Sequence, residues 1–251
     1  MWSTSPWPRG VLAGWSRSEA IVLKFLARIQ PWVGWTALLL LVAGLFLVFH
    51  APPDFQQGLS VRIMYIHVPS AQMALFLYLF LSGASLLFLW KRFSTADVLA
   101  EAAAPVGAAF SLVTLATGSI WGKPMWGAWW AWDARLTSML VLLIIYVGVM
   151  AMRHALDEPA KGAKATAILT LIGAVDLPII HFSVVWWRTL HQPSSFEGKL
   201  KPAIAGPLLT PLIVMAVAGL AVAAYLVILK SGNVAAQRQL DILESEGDDH
   251  G

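Results

Sequence analysis

The sequence predicts an all-α integral membrane protein with six transmembrane helices. Of its 251 residues, 58% are hydrophobic and only 12% are charged, and the mean hydropathy is +0.70. Soluble domains carry about 25% charged residues. The charged positions also leave long uncharged stretches, and the basic residues are distributed unequally between the segments that join these stretches. These observations indicate a multi-pass membrane protein.

Each uncharged stretch has a length suited to crossing a bilayer, which takes about 20 apolar residues. The fifth stretch contains one charge, Asp176, and the fourth is the shortest. The six predicted spans are residues 32–49, 70–90, 102–122, 136–152, 165–187 and 202–229.

The basic residues predict the orientation of these spans. An even number of spans places both termini on one side of the membrane, and 11 of the 17 Lys and Arg residues fall on that side. Because cytoplasmic segments carry the excess of basic residues, both termini are predicted to be cytoplasmic. Residues 51–69, 121–135 and 188–201 would then face outward, to the periplasmic side.

The chain is expected to have three parts. Residues 1–31 form a cytoplasmic lead-in, where the apolar side chains of Ile21, Phe25 and Ile29 share one helical face; this pattern favours a helix lying along the membrane surface. Residues 32–230 form the membrane domain. Residues 231–251 form an acidic cytoplasmic tail that we expect to be unstructured.

Several classes of site are excluded by the residues present. The chain has no cysteine, so it has no disulfide, no thiolate metal site and no covalent haem attachment of its own. It has no glycine-rich phosphate-binding loop, so any ATP hydrolysis is expected on another chain. A net charge of +3 gives no argument for nucleic-acid binding.

The segment from Trp121 to Arg135 contains five tryptophans among its fifteen residues. Trp126, Trp129, Trp130 and Asp133 are spaced so that they would share one face of a helix. The segment, set off by the turn residues that follow Trp121, therefore predicts a short aromatic helix at the membrane surface, suited to a large, flat, apolar ligand. A plain interfacial anchor is the alternative interpretation.

Two histidines are predicted at similar depth beside this segment. His67 lies at the outer end of the second span, and His191 lies at the outer end of the fifth. Haem iron takes axial imidazole ligands on its two opposite faces, so this pair indicates a haem site. Three outward arginines could hold the haem propionates, since guanidinium binds carboxylate in bidentate fashion: Arg62, Arg135 and Arg188.

The tryptophan segment resembles the "WWD" signature of haem-handling proteins. With the flanking sequences Tyr65-Ile66-His67-Val68-Pro69 and Trp186-Trp187-Arg188-Thr189-Leu190-His191-Gln192, the chain is similar to the haem exporter protein C family of the bacterial cytochrome c maturation system. The resemblance covers nearly all of residues 32–230.

The resemblance implies a protein of the bacterial inner membrane that binds haem b transiently and without a covalent bond, and is not itself an enzyme. His67 and His191 would bind the iron. The haem would pass to a periplasmic haem chaperone, beside the membrane and ATPase subunits of an ATP-binding-cassette assembly and a small single-span subunit. The residues implied in holding the macrocycle are Trp121, Gly122, Trp126, Trp129, Trp130, Trp132 and Asp133.

Three alternatives remain open at this stage. A b-type electron-transfer cytochrome subunit would place histidine pairs deep in facing helices, where only His181 is a candidate. A proton-coupled transporter would use Asp176, which lies at membrane depth. A scaffold that binds nothing is the third.

Overall fold

In the computed structural model, the described residues are 15–156, 158–187, 189–191, 204 and 206–248, and every regular element among them is helical. A 3₁₀ turn, Leu59–Ile63, leads into the second helix. The helices are α1 Arg17–His50, α2 Met64–Lys91, α3 Ser94–Trp126, α4 Ala134–His154, α5 Pro159–Gly173, α6 Asp176–Trp186 and α7 Gly206–Asp248.

These helices confirm the prediction of six spans. Within the described residues, six helices are long and apolar enough to cross a membrane, with α5 and α6 together forming the fifth. Large apolar side chains on the outside of the bundle, such as Trp32, Leu39 and Trp90, are 68–74% exposed. Such side chains suit contact with lipid rather than water.

The fifth span is broken between α5 and α6, at Ala174 and Val175. Pro178 has no N–H to donate to the carbonyl of Ala174, so the regular ladder fails there. The N–H of Leu177 donates to that carbonyl instead, at 3.2 Å. The break places Asp176, which is 7% exposed, in the first turn of α6.

α3 is the central helix of the bundle and packs against α2, α4 and α7. Its close packing depends on small residues. Gly107 faces the ring of Tyr146, which is fully buried and donates a hydrogen bond from its hydroxyl to the carbonyl of Ala74 at 2.8 Å. In this part of the core, an aromatic ring therefore packs against a small residue of the neighbouring helix.

The two terminal segments differ from the sequence prediction. α1 begins at Arg17 and continues without a break into the first span, so the described lead-in belongs to a spanning helix; Ile21 and Phe25 are exposed, whereas Leu23 and Ala27 are buried. The tail expected to be unstructured is instead helical as far as Asp248. The physical reason is that Leu23 and Ala27 of α1 pack against the start of the tail, at Val234 and Ala235.

The tryptophan segment also differs. The predicted turn after Trp121 is absent, because α3 runs through Pro124 and ends at Trp126. Gly127 then adopts φ 77°, a left-handed conformation that ends helices and favours glycine. Residues 127–133 are non-helical, so Trp126, Trp129, Trp130 and Asp133 do not share a helical face. That prediction was wrong.

Candidate functional site

The predicted iron ligand His67 lies in the first turn of α2 and faces α3. Its Nδ1 lies 3.1 Å from the carbonyl oxygen of Thr114 and 3.2 Å from the hydroxyl of Thr117. Because a carbonyl can only accept, Nδ1 of His67 carries the proton. The lone pair of the ring is therefore on Nε2, where it can bind a metal.

A stripe of α3 forms the surface against which His67 packs. Thr114, Thr117, Gly118 and Trp121 are spaced to share one helical face. A Cβ on Gly118 would lie 3.0 Å from Cε1 of His67, so any larger residue there would push the imidazole aside by a few tenths of an ångström. The ring of Trp121 meets the imidazole edge-on, with centroids 5.6 Å apart, and its Nε1 donates to Gln57 at 3.1 Å.

The second predicted ligand, His191, is held in a matching way by Asp133. Its Nδ1 lies 3.0 Å from Oδ2 of Asp133, so it donates to the carboxylate and again leaves the lone pair on Nε2. The imidazole meets the ring of Trp126 edge-on, at 4.9 Å between centroids. Burial lowers the pKa of His191 and outweighs the opposite effect of Asp133, so the ring is neutral at pH 7.

Asp133 connects three parts of the site. Its Oδ1 accepts from the N–H of Leu136 at 2.7 Å and so caps α4. Its Oδ2 accepts from the N–H of Leu190 at 3.3 Å as well as from His191. The side chain is only 8% exposed. A carboxylate that orients a ligating imidazole is a common feature of metal sites.

The two histidines are brought to one place. A positive charge on either ring would be opposed by Arg135, and the two rings are near enough to influence each other electrostatically. Arg135 donates from Nε to the hydroxyl of Ser183 at 3.3 Å, which ties the first turn of α4 to α6. His67, His191 and Arg135 therefore lie within electrostatic range of one another, and their roles in binding haem stay a prediction.

The remaining tryptophans form the outer part of the site. Trp129 and Trp132 are 58% and 79% exposed. Trp130 packs edge-on against Trp132 at 5.5 Å, and its Nε1 is buried with no hydrogen-bond partner in the described part of the chain. Gly122 is buried behind this segment: a Cβ there would meet the ring of Trp126 at 3.1 Å and the carbonyl oxygen of Ala128 at 3.2 Å.

The structure does not place the other two predicted propionate ligands, Arg62 and Arg188, beside the histidines as it does Arg135. Arg62 donates to the carbonyls of Phe49 and Ala51, at 2.8 and 3.4 Å, and so caps the end of α1. Arg188 lies outside the described residues.

Asp176 is not part of the histidine site. Among the described residues, it makes no hydrogen bond to His67 or His191, and it interacts electrostatically with Tyr78.

This donor set fits haem better than a bare metal ion. In the residues that the structure describes, no group of three or more His, Asp or Glu side chains could hold a metal ion. Two imidazoles suffice for haem, because the porphyrin supplies the other four ligands of the iron. The indoles supply the flat apolar contact, and the unpartnered Nε1 of Trp130 can donate to a propionate.

Four residues of the site were missed by sequence reasoning: Gln57, Thr114, Thr117 and Gly118. The helical spacing of the last three with Trp121 is visible in the sequence and could have indicated a face turned toward a ligand. Gln57 had no comparable signal, since its contact with Trp121 joins residues 64 positions apart.

Comparison with known proteins gives the family of this chain. The family model described as "Heme exporter protein C" matches residues 13–245. A Heme exporter protein C of Bradyrhizobium diazoefficiens is 50% identical over 196 residues, which cover 78% of this chain and 74% of that protein. The protein of the same name from Escherichia coli K12 is 48% identical over 180 residues, covering 71% and 74%.

A more distant relative carries a related name. The "Putative cytochrome c biosynthesis ccmC-like mitochondrial protein" of Marchantia polymorpha is 44% identical over 168 residues, which cover 67% of this chain and 70% of that protein. The family match spans most of the chain and includes both histidines and the whole tryptophan segment. The chain therefore belongs to the haem exporter protein C family.

Proposed function

We propose that this protein binds haem b without a covalent bond, at the periplasmic face of the bacterial inner membrane, and delivers it to a periplasmic haem chaperone. Membership of the family indicates haem transport for cytochrome c maturation. The observation that supports the proposal most strongly for this chain is the tautomer in which the two histidine rings are held. Each has its Nδ1 held by an acceptor, so each offers Nε2 to iron beside a tryptophan ring.

Different residues bind the iron, the macrocycle and the propionates of haem. His67 and His191 bind the iron on its two faces, while the Trp121–Asp133 segment covers the apolar macrocycle. Arg135 and the Nε1 of Trp130 offer charge and a hydrogen-bond donor to the propionates. The haem is the molecule that the protein transports and is not a cofactor of a reaction on this chain.

Delivery requires that an acceptor reach the haem. The exposed rings of Trp129 and Trp132 lie at the outer edge of the site and leave room for a docking protein. The chain carries no phosphate-binding loop. Any energy from ATP therefore comes from the ATP-binding-cassette membrane and ATPase subunits of the same maturation system, with the small single-span subunit as a further partner.

The electron-transfer alternative is less well supported. It would place both iron ligands deep in facing helices, whereas His67 lies in the first turn of α2 and His191 lies beyond the end of α6. His181, the deeper candidate, packs edge-on against its neighbour Phe182 at 4.7 Å.

The binding site is tested with His67→Ala and His191→Ala. Each variant loses one axial ligand, so its Soret band should shift and its haem affinity should fall by at least about tenfold. His50→Ala is the matched control, because His50 lies at the outer end of α1 and its Nδ1 bonds to its own helix, at the carbonyl of Phe46. Retention of the wild-type spectrum and affinity by both single variants would refute the ligand assignment.

Delivery is tested separately from binding. Membranes that contain the protein and the chaperone are compared for the haem on each, by Soret absorbance of the first and by haem covalently attached to the second. Haem that accumulates on this protein while none reaches the chaperone would contradict delivery and leave the binding site standing.

A further inference from the structure

A second polar centre lies at the end of the bundle opposite the histidines. Arg153, in the last turn of α4, donates to both carboxylate oxygens of Asp97 in α3, at 2.6 Å each. Arg238 of α7 donates to Asp97 at 2.7 Å and to Glu101 at 2.6 Å. Arg153 also pairs with Glu101 at 2.8 Å. Two arginines therefore neutralise both carboxylates and bind α4 and α7 to α3.

A cavity of about 390 Å³ lies beside this ion cluster. α4 and α7 both pack on α3, and the cavity lies between them, with part of α5 at its side. Its volume is in the range of small-molecule sites. Its apolar floor is formed by Ala104, Pro105, Val149, Met150 and Val234.

Outside the ion cluster, the polar side chains that line the cavity include several hydrogen-bond donors. Lys230 and Asn233, on one face of α7, line the cavity and have no ion pair or hydrogen bond within the described residues. His154 lines it at the end of α4. The hydroxyl of Thr166, on α5, also lines the cavity; it is buried and has no hydrogen-bond partner among the described residues.

We propose that this cavity binds the headgroup of an acidic phospholipid. Because the arginines already neutralise the carboxylates, Lys230 leaves the centre with one positive charge, and its free donors suit the oxygens of a phosphodiester. The apolar floor receives the first part of an acyl chain. On the proposed topology this end faces the cytoplasmic leaflet, where basic pockets between transmembrane helices bind acidic headgroups. The proposal does not depend on the haem function.

The test uses the full-length protein in nanodiscs that contain equal amounts of phosphatidylglycerol and phosphatidylcholine. Native mass spectrometry counts the lipids that stay bound after release. The wild type should retain one phosphatidylglycerol in preference to phosphatidylcholine. Lys230→Ala should lower this retention about fivefold, which corresponds to about 1 kcal/mol per basic residue near a membrane surface. Thr166→Val, which removes only the buried hydroxyl, should lower it as well.

Lys91→Ala is the matched control. Lys91 is an exposed lysine at the same end of the bundle, at the end of α2, where it lies over the ring of Trp90 and not in the cavity. Equal retention of both lipids by the wild type, or equal loss in all three variants, would overturn the proposal. Thermal unfolding, measured on each variant, shows whether the fold is intact.

A second arm separates lipid from haem, whose propionates offer similar anionic oxygens. The double variant His67→Ala, His191→Ala is titrated with haem, with and without Lys230→Ala. Residual haem binding should be the same in both proteins. A loss of residual binding caused by Lys230→Ala, together with displacement of phosphatidylglycerol by haem, would show that the cavity takes haem and would overturn the assignment to a lipid.

Discussion

Asp133→Asn should disable His191 and keep the cap of α4. Oδ1 of the carboxylate now accepts from the N–H of Leu136, and Oδ2 accepts from Nδ1 of His191 and, at 3.3 Å, from the N–H of Leu190, a long bond that the substitution removes. Asparagine has one acceptor oxygen, and asparagine and aspartate cap helices about equally well, so the cap of α4 is kept. The amide NH₂ then faces His191 and favours the tautomer with its proton on Nε2, which cannot bind iron.

The size of the effect follows from these contacts. Loss of an outer partner of a ligating histidine typically costs 10–100-fold in metal affinity, or about 1.4–2.7 kcal/mol. Asp133→Ala should lose the same affinity and, in addition, about 1 kcal/mol of stability, because it also removes the cap. Haem titration followed by Soret absorbance gives the affinity, and thermal unfolding gives the stability.

Ser16→Ala is the control for loss of a helix cap. Ser16 caps α1 through a reciprocal bond with Glu19, far from Asp133 along the chain, and its removal should lower stability without changing haem affinity. Wild-type haem affinity and spectrum in Asp133→Asn would refute the role of the carboxylate. So would an equal loss of haem affinity in Ser16→Ala, which would show that the site responds to stability alone.

Three further outcomes are expected. Gly118→Ala should displace the imidazole of His67, because the new Cβ would lie 3.0 Å from Cε1. Haem binding, measured in the same titration, should weaken up to about tenfold, and an unchanged affinity would contradict the tight contact. Gly107→Ala should lower the unfolding temperature, because the new Cβ collides with the ring of Tyr146. The collision costs about 1–3 kcal/mol, which exceeds the gain of about 1 kcal/mol in helix propensity, and a raised unfolding temperature would contradict this packing. Ala128→Cys in haem-free protein should react with an impermeant thiol reagent added from outside. Ala155→Cys, at the other end of α4, should react only after membrane disruption, and the reverse pattern would invert the proposed topology.

The spans and the family could be predicted from the sequence because their signals are local. A bilayer selects long uncharged stretches whatever their neighbours are, so six spans follow from composition and spacing alone. His67, His191 and the tryptophan segment are visible as residue types near the ends of spans. Their resemblance to one family adds the ligand chemistry.

The local conformation around the tryptophans was decided by tertiary structure. The helical spacing of Trp126 to Asp133 predicted one helix, but Gly127 ends α3 and Asp133 caps α4, so the segment between them is not helical. A residue suited to a helical face is equally suited to a loop when a cap and a left-handed glycine flank it. The loop is also held by contacts with other segments, namely the bonds from the Ser119 hydroxyl to the carbonyl of Trp129 and from His191 to Asp133, which the spacing of the tryptophans does not report.

The tertiary structure also decided which atoms the histidines offer. The partner of His67 is 47 residues away, at Thr114, and the partner of His191 is 58 residues away, at Asp133. No periodicity in the sequence reports a contact between distant segments. The sequence by itself therefore determined which residues stand near the ends of the spans. The fold determined that each imidazole is held through Nδ1 and keeps its lone pair on Nε2, because that state depends on acceptors that come from distant parts of the chain.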